Sequence, residues 1–361
     1  MRCSTLGKEV PGGLYRMVWA CIFVDMTEPA PPNNSGQSPP HDPTRFETVL
    51  AEATARAGQQ RAKRKRKRKL PLILFILTVF STFFVGVVDW EPLPTLENWL
   101  SNPDPFFMEL RSLLLENWQQ GLLYSSCLLL ILLLHEFGHF FTTIFYRVPA
   151  SMPFFIPFPV NPIGTLGAVI AMHGTLANRK QIFDIGIAGP LAGLVAAVPL
   201  AYWGVSELDL TTAPQGGIGF RLPLLMDWMA QSVGVAGYTE PIVWINQLNP
   251  VFAAAWVGML ITGLNMIPVG QLDGGHITYT LFGKHSHWIA EAIIVFAVAF
   301  MVYYQHFILV VMVLLILFLG TRHPPTADDS VKLGPGRWVL GILSLSIPLL
   351  CFPPMIFKIV Y

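Results

Sequence analysis

The chain has 361 residues, of which 53% are hydrophobic and 12% are charged, and its formal net charge is +1. Soluble domains carry about 25% charged residues, so this deficit excludes an ordinary water-soluble globular protein. Several apolar stretches approach the roughly 20 residues that span a bilayer. The composition therefore indicates a polytopic membrane protein, with the lipid bilayer as its surroundings.

The N-terminal part divides into a polar tail and a basic run. Residues 1–60 include a tract rich in Pro, Asn and Ser, and we expect a disordered or weakly structured tail. The run 61–69 holds eight of the 23 basic residues and directly precedes an apolar stretch, so 61–88 is predicted to form a basic run and a first span. A cluster of basic residues beside a first span stays on the cytoplasmic side of the membrane, so we expect the N-terminus to be cytoplasmic as well. A nucleic-acid-binding arm is the disfavoured alternative, and no nucleic-acid partner is expected.

The remaining chain alternates between apolar spans and turn-rich segments. Residues 89–120 are acidic and are predicted to form an outer loop, and residues 205–240 are predicted to form another outer loop, in contact with water. The Pro- and Gly-rich segment 149–174 cannot be a regular helix, and we predict a re-entrant β hairpin within it. The predicted fold is thus an all-α membrane bundle of about six or seven spans with one re-entrant β element. After the first, spans are expected over about 121–146, 182–203 and 241–266, twice within 286–320, and over about 338–357.

The run His135-Glu136-Phe137-Gly138-His139 carries the strongest chemical signal. Histidines four residues apart stand on one helix face and can bind one Zn²⁺, with Glu136 placed as a general base. Composition alone would produce such a motif only about 0.01 times in this chain. Residues 128–134, just before it, are all apolar, and ionisable groups in such a span favour a functional role. A polar cluster that only holds helices together is the alternative interpretation.

A zinc hydrolase keeps three protein ligands and one open position, so a third ligand is needed. Asp273 is the best candidate, because it follows a predicted span that ends at the same membrane depth as the histidines. Its alternative role is a helix N-cap. Asn265, at the end of that span, could donate a hydrogen bond to an oxyanion. A hydrogen bond between helices is nearly as good an explanation for Asn265.

Four segments together resemble the site-2 protease family of intramembrane metalloproteases (peptidase family M50), over residues of about 120–323. They are HEFGH within a span, GTLGAVI at 164–170, AGPLAG at 188–193 and NMIPVGQLDGG at 265–275. The resemblance implies that His135, His139 and Asp273 bind one zinc ion. It also implies that Glu136 is the catalytic base and that Asn265 is the asparagine of the family's N-x-x-P motif.

The same resemblance implies cleavage of a transmembrane segment of another membrane protein. The strand that contains Gly164 and Gly167 would then pair with an unwound part of the substrate by strand addition. The expected core is 121–323, followed by a C-terminal span within 324–361. The rival hypothesis is a non-catalytic membrane transporter or substrate-capturing protein that uses the same polar cluster.

Some features depart from the family or lie outside its motifs. The family often carries an additional domain, but residues 205–240 are too few for one, and the Val-Gly-Gln before Leu272 loosens the match to the family's spacing. His276 is expected to be a helix-start histidine rather than a ligand. For Asp184, complementing a helix dipole explains the residue about as well as a role at the site. The simplest expected location is a prokaryotic plasma membrane.

Overall fold

The structure is a computed structural model, and it describes most of the chain after residue 68. The described residues are 69–101, 106–172, 174–214, 217–304, 310, 313–314, 320–353 and 355–360. The predicted N-terminal tail, nearly all of the basic run and most of 305–319 lie outside these residues. The second span of the predicted 286–320 hairpin therefore stays a prediction.

The described part of the chain is mostly helical, as expected. Four of its helical segments are long and apolar enough to cross a bilayer, and they are Lys69–Val87, Phe107–Tyr146, Arg179–Ser206 and Asp273–Tyr304. We number the helices in chain order. They are α1 (Lys69–Val87), α2 (Pro92–Ser101), α3 (Phe106–Tyr146), α4 (Arg179–Ser206), α5 (Leu224–Val233), α6 (Pro250–Asn265), α7 (Asp273–Phe282), α8 (Ser286–Tyr304), α9 (Pro335–Ser344) and α10 (Ile347–Cys351).

Two expected spans are shorter or broken. The span predicted over 241–266 is helical only from Pro250, because Ile242–Trp244 forms a β-strand and Asn249 caps the helix by accepting a hydrogen bond from the Phe252 amide. The span predicted over 338–357 divides into α9, α10 and a final strand, Phe357–Val360. Proline lacks the amide proton that a continuous helix needs, and Pro348 stands where α10 begins.

Two predicted loops also contain regular structure. The acidic segment 89–120 includes α2 and the first turns of α3, which begins at Phe106 rather than near residue 121. The segment 205–240 contains strand Gly217–Arg221 and α5, whose Met226 and Ala230 are fully buried. Burial of these side chains makes this segment part of the packed core rather than a wet loop.

The predicted hairpin in 149–174 is present. Strands β1 (Phe154–Phe158) and β2 (Gly164–Val169) pair antiparallel, with an irregularity between Phe155 and Pro157. A second, antiparallel sheet has the order β4-β3-β5, where β3 is Gly217–Arg221, β4 is Ile242–Trp244 and β5 is Phe357–Val360. The chain therefore brings its C-terminal strand back to a sheet that the sequence analysis did not predict.

Helices α3, α4 and α6 form the centre of the bundle and pack on one another. Glycines permit this close approach, because no side chain separates the backbones. A β-carbon on Gly138 of α3 would lie 2.5 Å from the Ala188 carbonyl oxygen of α4, and one on Gly258 of α6 would lie 2.6 Å from Ile131 of α3. The polar residues of the HEFGH run lie within this tightly packed centre.

Candidate metal centre

Three side chains from two separate helices meet in the core. His135 and His139 come from α3, and Asp273 is the first residue of α7. Nε2 of His135 lies 3.2 Å from Nε2 of His139 and 3.2 Å from Oδ2 of Asp273, while Nε2 of His139 lies 3.3 Å from the same Oδ2. The three atoms form a nearly equilateral triangle, although Asp273 is 138 residues from His135.

This triangle fits the coordination of zinc. Four ligands at about 2.0–2.1 Å around a tetrahedral Zn²⁺ lie about 3.3–3.4 Å from one another. The measured separations of 3.2–3.3 Å are close to the edges of one face of such a tetrahedron. Two imidazole nitrogens and one carboxylate oxygen are also a donor set that zinc hydrolases use. The residues present could therefore hold a metal ion.

Helix α4 holds the histidines in place. Nδ1 of His139 donates a hydrogen bond to the Ile185 carbonyl oxygen at 2.7 Å, which leaves Nε2 free to bind a metal. Gly189 and Gly193 provide the space for the rings. A β-carbon added to Gly189 would lie 2.0 Å from His139 Nε2, and one added to Gly193 would lie 3.2 Å from His135 Nδ1. The AGPLAG segment therefore faces the HEFGH segment and admits its imidazoles.

The segment after α6 brings Asp273 to the histidines. Leu272 occupies the N-cap position of α7, so the alternative role of Asp273 as an N-cap is wrong. A β-carbon on Gly274 would lie 2.0 Å from the Met266 carbonyl oxygen, and one on Gly275 would lie 2.4 Å from the Gly270 carbonyl oxygen. The two glycines thus let α7 begin directly against the end of α6.

Two further predicted residues lie near the triangle. Nδ2 of Asn265, the last residue of α6, is 3.4 Å from Nε2 of His135. Glu136 is 6% exposed, and no side chain in the described part of the chain donates a hydrogen bond to its carboxylate. With neutral imidazoles, ionised Glu136 and Asp273 would place two negative charges in the core. A divalent cation would compensate them.

Gly164 and Gly167 lie in the hairpin and not in the triangle. Both have positive φ, 83° and 90°, in which glycine is favoured. Gly164 contacts α1, where its carbonyl oxygen accepts a hydrogen bond from the Ser81 hydroxyl at 2.5 Å. A β-carbon on Gly167 would meet no other atom within 4 Å. The hairpin is therefore fixed at its Gly164 end and open around Gly167.

The structure gives Asp184 a different partner from the helix dipole. Nε and Nη2 of Arg337 donate to the two Asp184 carboxylate oxygens at 2.8 and 2.7 Å, and the Tyr146 hydroxyl donates at 2.5 Å. The contact joins the end of α3, the start of α4 and α9. No spacing rule could have predicted it, because Arg337 is 153 residues from Asp184.

His276 is outside the triangle and contacts another histidine. His323 Nδ1 donates to the Pro324 carbonyl oxygen, so His323 Nε2 accepts the bond from His276 Nδ1 at 2.5 Å. Burial, with His276 alongside, lowers the pKa of His323 from its usual 6.5 to about 3. His323 is therefore neutral at physiological pH.

The fold and the site together define a class: a mostly helical protein with helices long and apolar enough to cross a membrane and a His-His-Asp cluster that could hold a metal ion. Residues 123–312 match peptidase family M50, which is more than half of the chain. The chain belongs to this family, and the resemblance to site-2 proteases is confirmed.

Curated relatives agree with this family. The chain is 31% identical over 270 residues to "Probable zinc metalloprotease EGY1, chloroplastic" of Oryza sativa subsp. japonica, covering 71% of this chain and 44% of the relative. It is 30% identical over 227 residues to the protein of the same name in Arabidopsis thaliana, covering 60% and 40%. The chain thus spans less than half the length of these relatives.

The names of these relatives also bear on location. Both are described as chloroplastic proteins of plants, which conflicts with the expectation of a prokaryotic plasma membrane. A membrane location agrees with the four apolar helical segments. The expected cytoplasmic position of the N-terminus stays a prediction.

Proposed function

We propose that this protein is a zinc-dependent protease that hydrolyses a peptide bond within a transmembrane segment of another membrane protein. The observation that carries the proposal is the triangle of His135, His139 and Asp273, with edges of 3.2–3.3 Å inside a helical bundle. Its family and its relatives named zinc metalloproteases support the same activity. We assign the activity to the predicted core, 121–323.

The three side chains of the triangle would hold one zinc ion per chain. A zinc ion bound there would lower the pKa of a coordinated water towards about 7 and polarise a peptide carbonyl. Ile185 keeps the His139 ring in the required orientation through its carbonyl oxygen. Without this bond the ring could rotate, and the ligand atoms would lose their common geometry.

Glu136 is the proposed general base. It is buried beside both histidines on α3, and its carboxylate would accept a proton from the attacking water. It would then pass this proton to the amine nitrogen that leaves when the C–N bond breaks. The products are a carboxylic acid and an amine, and Glu136 returns to its starting state.

Asn265 is the proposed oxyanion donor. The carbonyl oxygen gains negative charge when water attacks, and a positioned amide N–H stabilises that charge in a site that excludes water. Nδ2 of Asn265 is 3.4 Å from His135 Nε2, which places the amide next to the ligand triangle. The alternative is that Asn265 only joins α6 to α3 through this hydrogen bond to His135.

The substrate would bind to the β1–β2 hairpin as an added strand. The sheet has two strands, so each strand has an edge without a partner strand in this sheet. Pro157 removes a donor from β1, which makes β2, with Gly164 and Gly167, the better template for an unwound segment. A peptide bond must be unwound from a helix before water can reach it.

A non-catalytic transporter or substrate-capturing protein is the second candidate, because a buried polar cluster also suits ion binding. The two functions differ in their dependence on Glu136. Substitution Glu136→Gln keeps the size of the side chain and removes its basicity. A protease should then lose cleavage and keep zinc, whereas a transporter should keep its function.

The experiment compares wild-type protein and Glu136→Gln in detergent with a labelled model transmembrane substrate. Zinc per chain is measured on the same samples. We expect equal zinc in both proteins and loss of cleavage by at least about 100-fold in the variant. Cleavage by Glu136→Gln at the wild-type rate would overturn the role of Glu136. Folded wild-type protein without zinc would overturn the proposed activity.

A further inference from the structure

A basin with basic side chains lies where α8 begins. Its volume is about 370 Å³, and it is formed by the turn between α7 and α8 and by the segment after residue 320. We call it the basic basin. Among the residues that line it are Tyr279, Lys284, Ser286, His287, Arg322 and His323. None of these residues belongs to the proposed catalytic machinery.

The positive charge of the basic basin has no ion-pair partner within the part of the chain that the structure describes. Lys284 and Arg322 are exposed, and neither forms an ion pair with a carboxylate among the residues that the structure describes. Asp329 lies beside the basin, but it forms no ion pair with Lys284 or Arg322 among the described residues. Its carboxylate oxygens accept hydrogen bonds from the Tyr279 hydroxyl at 2.8 Å and the Thr326 hydroxyl at 2.7 Å.

The end of α8 adds to this positive potential. The first turn of this 19-residue helix contains no acidic side chain, and Lys284 and His285 directly precede it. The N-terminus of a helix carries a partial positive charge, although the Ser286 amide of α8 already donates to the Gly283 carbonyl oxygen. Basic residues at this end are unfavourable unless an anion is present. An anion in the basic basin would offset both the helix dipole and the side-chain charges.

The surface of α8 next to the basin is apolar and is exposed in the part of the chain that the structure describes. Only 6% of the most apolar window of the Asp273–Tyr304 segment is buried by the rest of the protein. Trp288, Val295 and Phe296 of α8 are 64%, 68% and 69% exposed. Tryptophan is frequent where a span meets the headgroups, and Trp288 directly follows a basin residue. A charged basin that continues into an apolar helix face matches a phospholipid.

We propose that the basic basin binds the phosphate headgroup of an anionic phospholipid, whose acyl chains lie along the exposed face of α8. Lys284 and Arg322 would neutralise the phosphate, and Ser286 would donate a hydrogen bond to it. Basic pockets at the ends of spans are suited to such headgroups. The proposal does not depend on the proteolytic activity, since none of these residues touches the metal centre.

The test uses the full chain reconstituted in phosphatidylcholine vesicles. Brominated phosphatidylglycerol or brominated phosphatidylcholine is added, and the quenching of Trp288 is obtained by comparison with Trp288→Phe. We expect wild-type protein to prefer phosphatidylglycerol. The double variant Lys284→Gln/Arg322→Gln should lower this relative affinity by about 30-fold, from the loss of two charges near the headgroups.

Two matched variants control for charge and for folding. Arg111→Gln/Lys332→Gln removes the same charge from exposed positions outside the basin and should keep the preference. Lys284→Arg/Arg322→Lys keeps the charge and should also keep it. Equal quenching by the two lipids in wild type, or an equal loss in the Arg111/Lys332 variant, would overturn the proposal. If inorganic phosphate abolished the preference for phosphatidylglycerol, a soluble anion would be the ligand. That result would overturn the proposal that the basin binds a phospholipid.

Discussion

A β-carbon placed on Gly189 of α4 would lie 2.0 Å from Nε2 of His139 on α3, which is closer than two such atoms can approach. We therefore predict that Gly189→Ala displaces the His139 ring. Zinc affinity should fall by about 10- to 100-fold, as when a partner that orients a ligand is lost. Zinc titration of the purified protein against a competing chelator measures this change.

The control for this substitution is Gly336→Ala. Gly336 lies in α9, and a β-carbon there would meet no other atom within 4 Å. Its zinc affinity should equal that of the wild type. If Gly189→Ala bound zinc as tightly as Gly336→Ala, the close packing of α4 against the histidines would not position the ligands.

The two hairpin glycines should respond differently to alanine. A β-carbon on Gly164 would lie 2.8 Å from Cα of Thr82 on α1, whereas one on Gly167 would be unobstructed. Both substitutions strain a positive φ by about 1 kcal/mol or more. Gly164→Ala should therefore lower the melting temperature in detergent more than Gly167→Ala. Equal decreases would show that backbone strain alone accounts for both positions.

The contact between Asp184 and Arg337 should stabilise the fold modestly. Its geometry is bidentate, but the Arg337 side chain is 35% exposed, so solvent screening reduces its strength. We expect a coupling energy of about 1 kcal/mol from a double-mutant cycle of Asp184→Asn and Arg337→Gln, measured by denaturant unfolding in detergent. Arg337→Lys should lose most of it, because lysine cannot form the bidentate pair. A coupling energy of zero would assign the contact no energetic role.

His323 should make the fold sensitive to acid. Its folded pKa of about 3 lies below the usual 6.5, because burial and the neighbouring His276 both lower it. Asp329 raises the pKa, but its effect is weaker. At a pH between about 3 and 6.5, His323 therefore binds a proton in the unfolded chain but not in the folded chain. Stability from this group is complete above about pH 6.5 and is lost as the pH falls towards 3.

The measurement is the melting temperature of wild type and His323→Gln in detergent between pH 4 and pH 7, roughly the range over which a histidine titrates. The wild type should lose more stability on acidification than the variant. Ionisable groups that do not contact His323 contribute equally to both proteins and cancel in the difference. Parallel curves for the two proteins would contradict a lowered pKa for His323.

The sequence predicted the parts of this molecule that depend on local pattern. The spacing of His135 and His139, the apolar residues before them and the glycines at 164–170 were enough to place a polar helix face and a hairpin. Asp273 was found because two predicted spans ended at the same depth. These features follow from helix periodicity and hydrophobicity, and both can be recognised in a single sequence.

The parts that were missed depend on contacts between distant segments. Residues 241–266 are mostly apolar, and no local pattern shows that Ile242–Trp244 pairs with the distant strand β3 instead of continuing α6. The break between α9 and α10 was missed because a proline such as Pro348 does not by itself predict the end of a helix, since α4 continues through Pro190 and Pro199. The pairs Asp184–Arg337 and His276–His323 join residues 153 and 47 positions apart, and no periodicity links them.

Zinc K-edge X-ray absorption on the purified protein, together with zinc content per chain, tests the central claim most directly. We predict one zinc per chain with nitrogen and oxygen neighbours at about 2.0–2.1 Å, two of them imidazoles. Asp273→Ala should lose an oxygen ligand and bind zinc more weakly. Folded wild-type protein without zinc, or a spectrum with sulfur at about 2.3 Å, would contradict a centre formed by His135, His139 and Asp273.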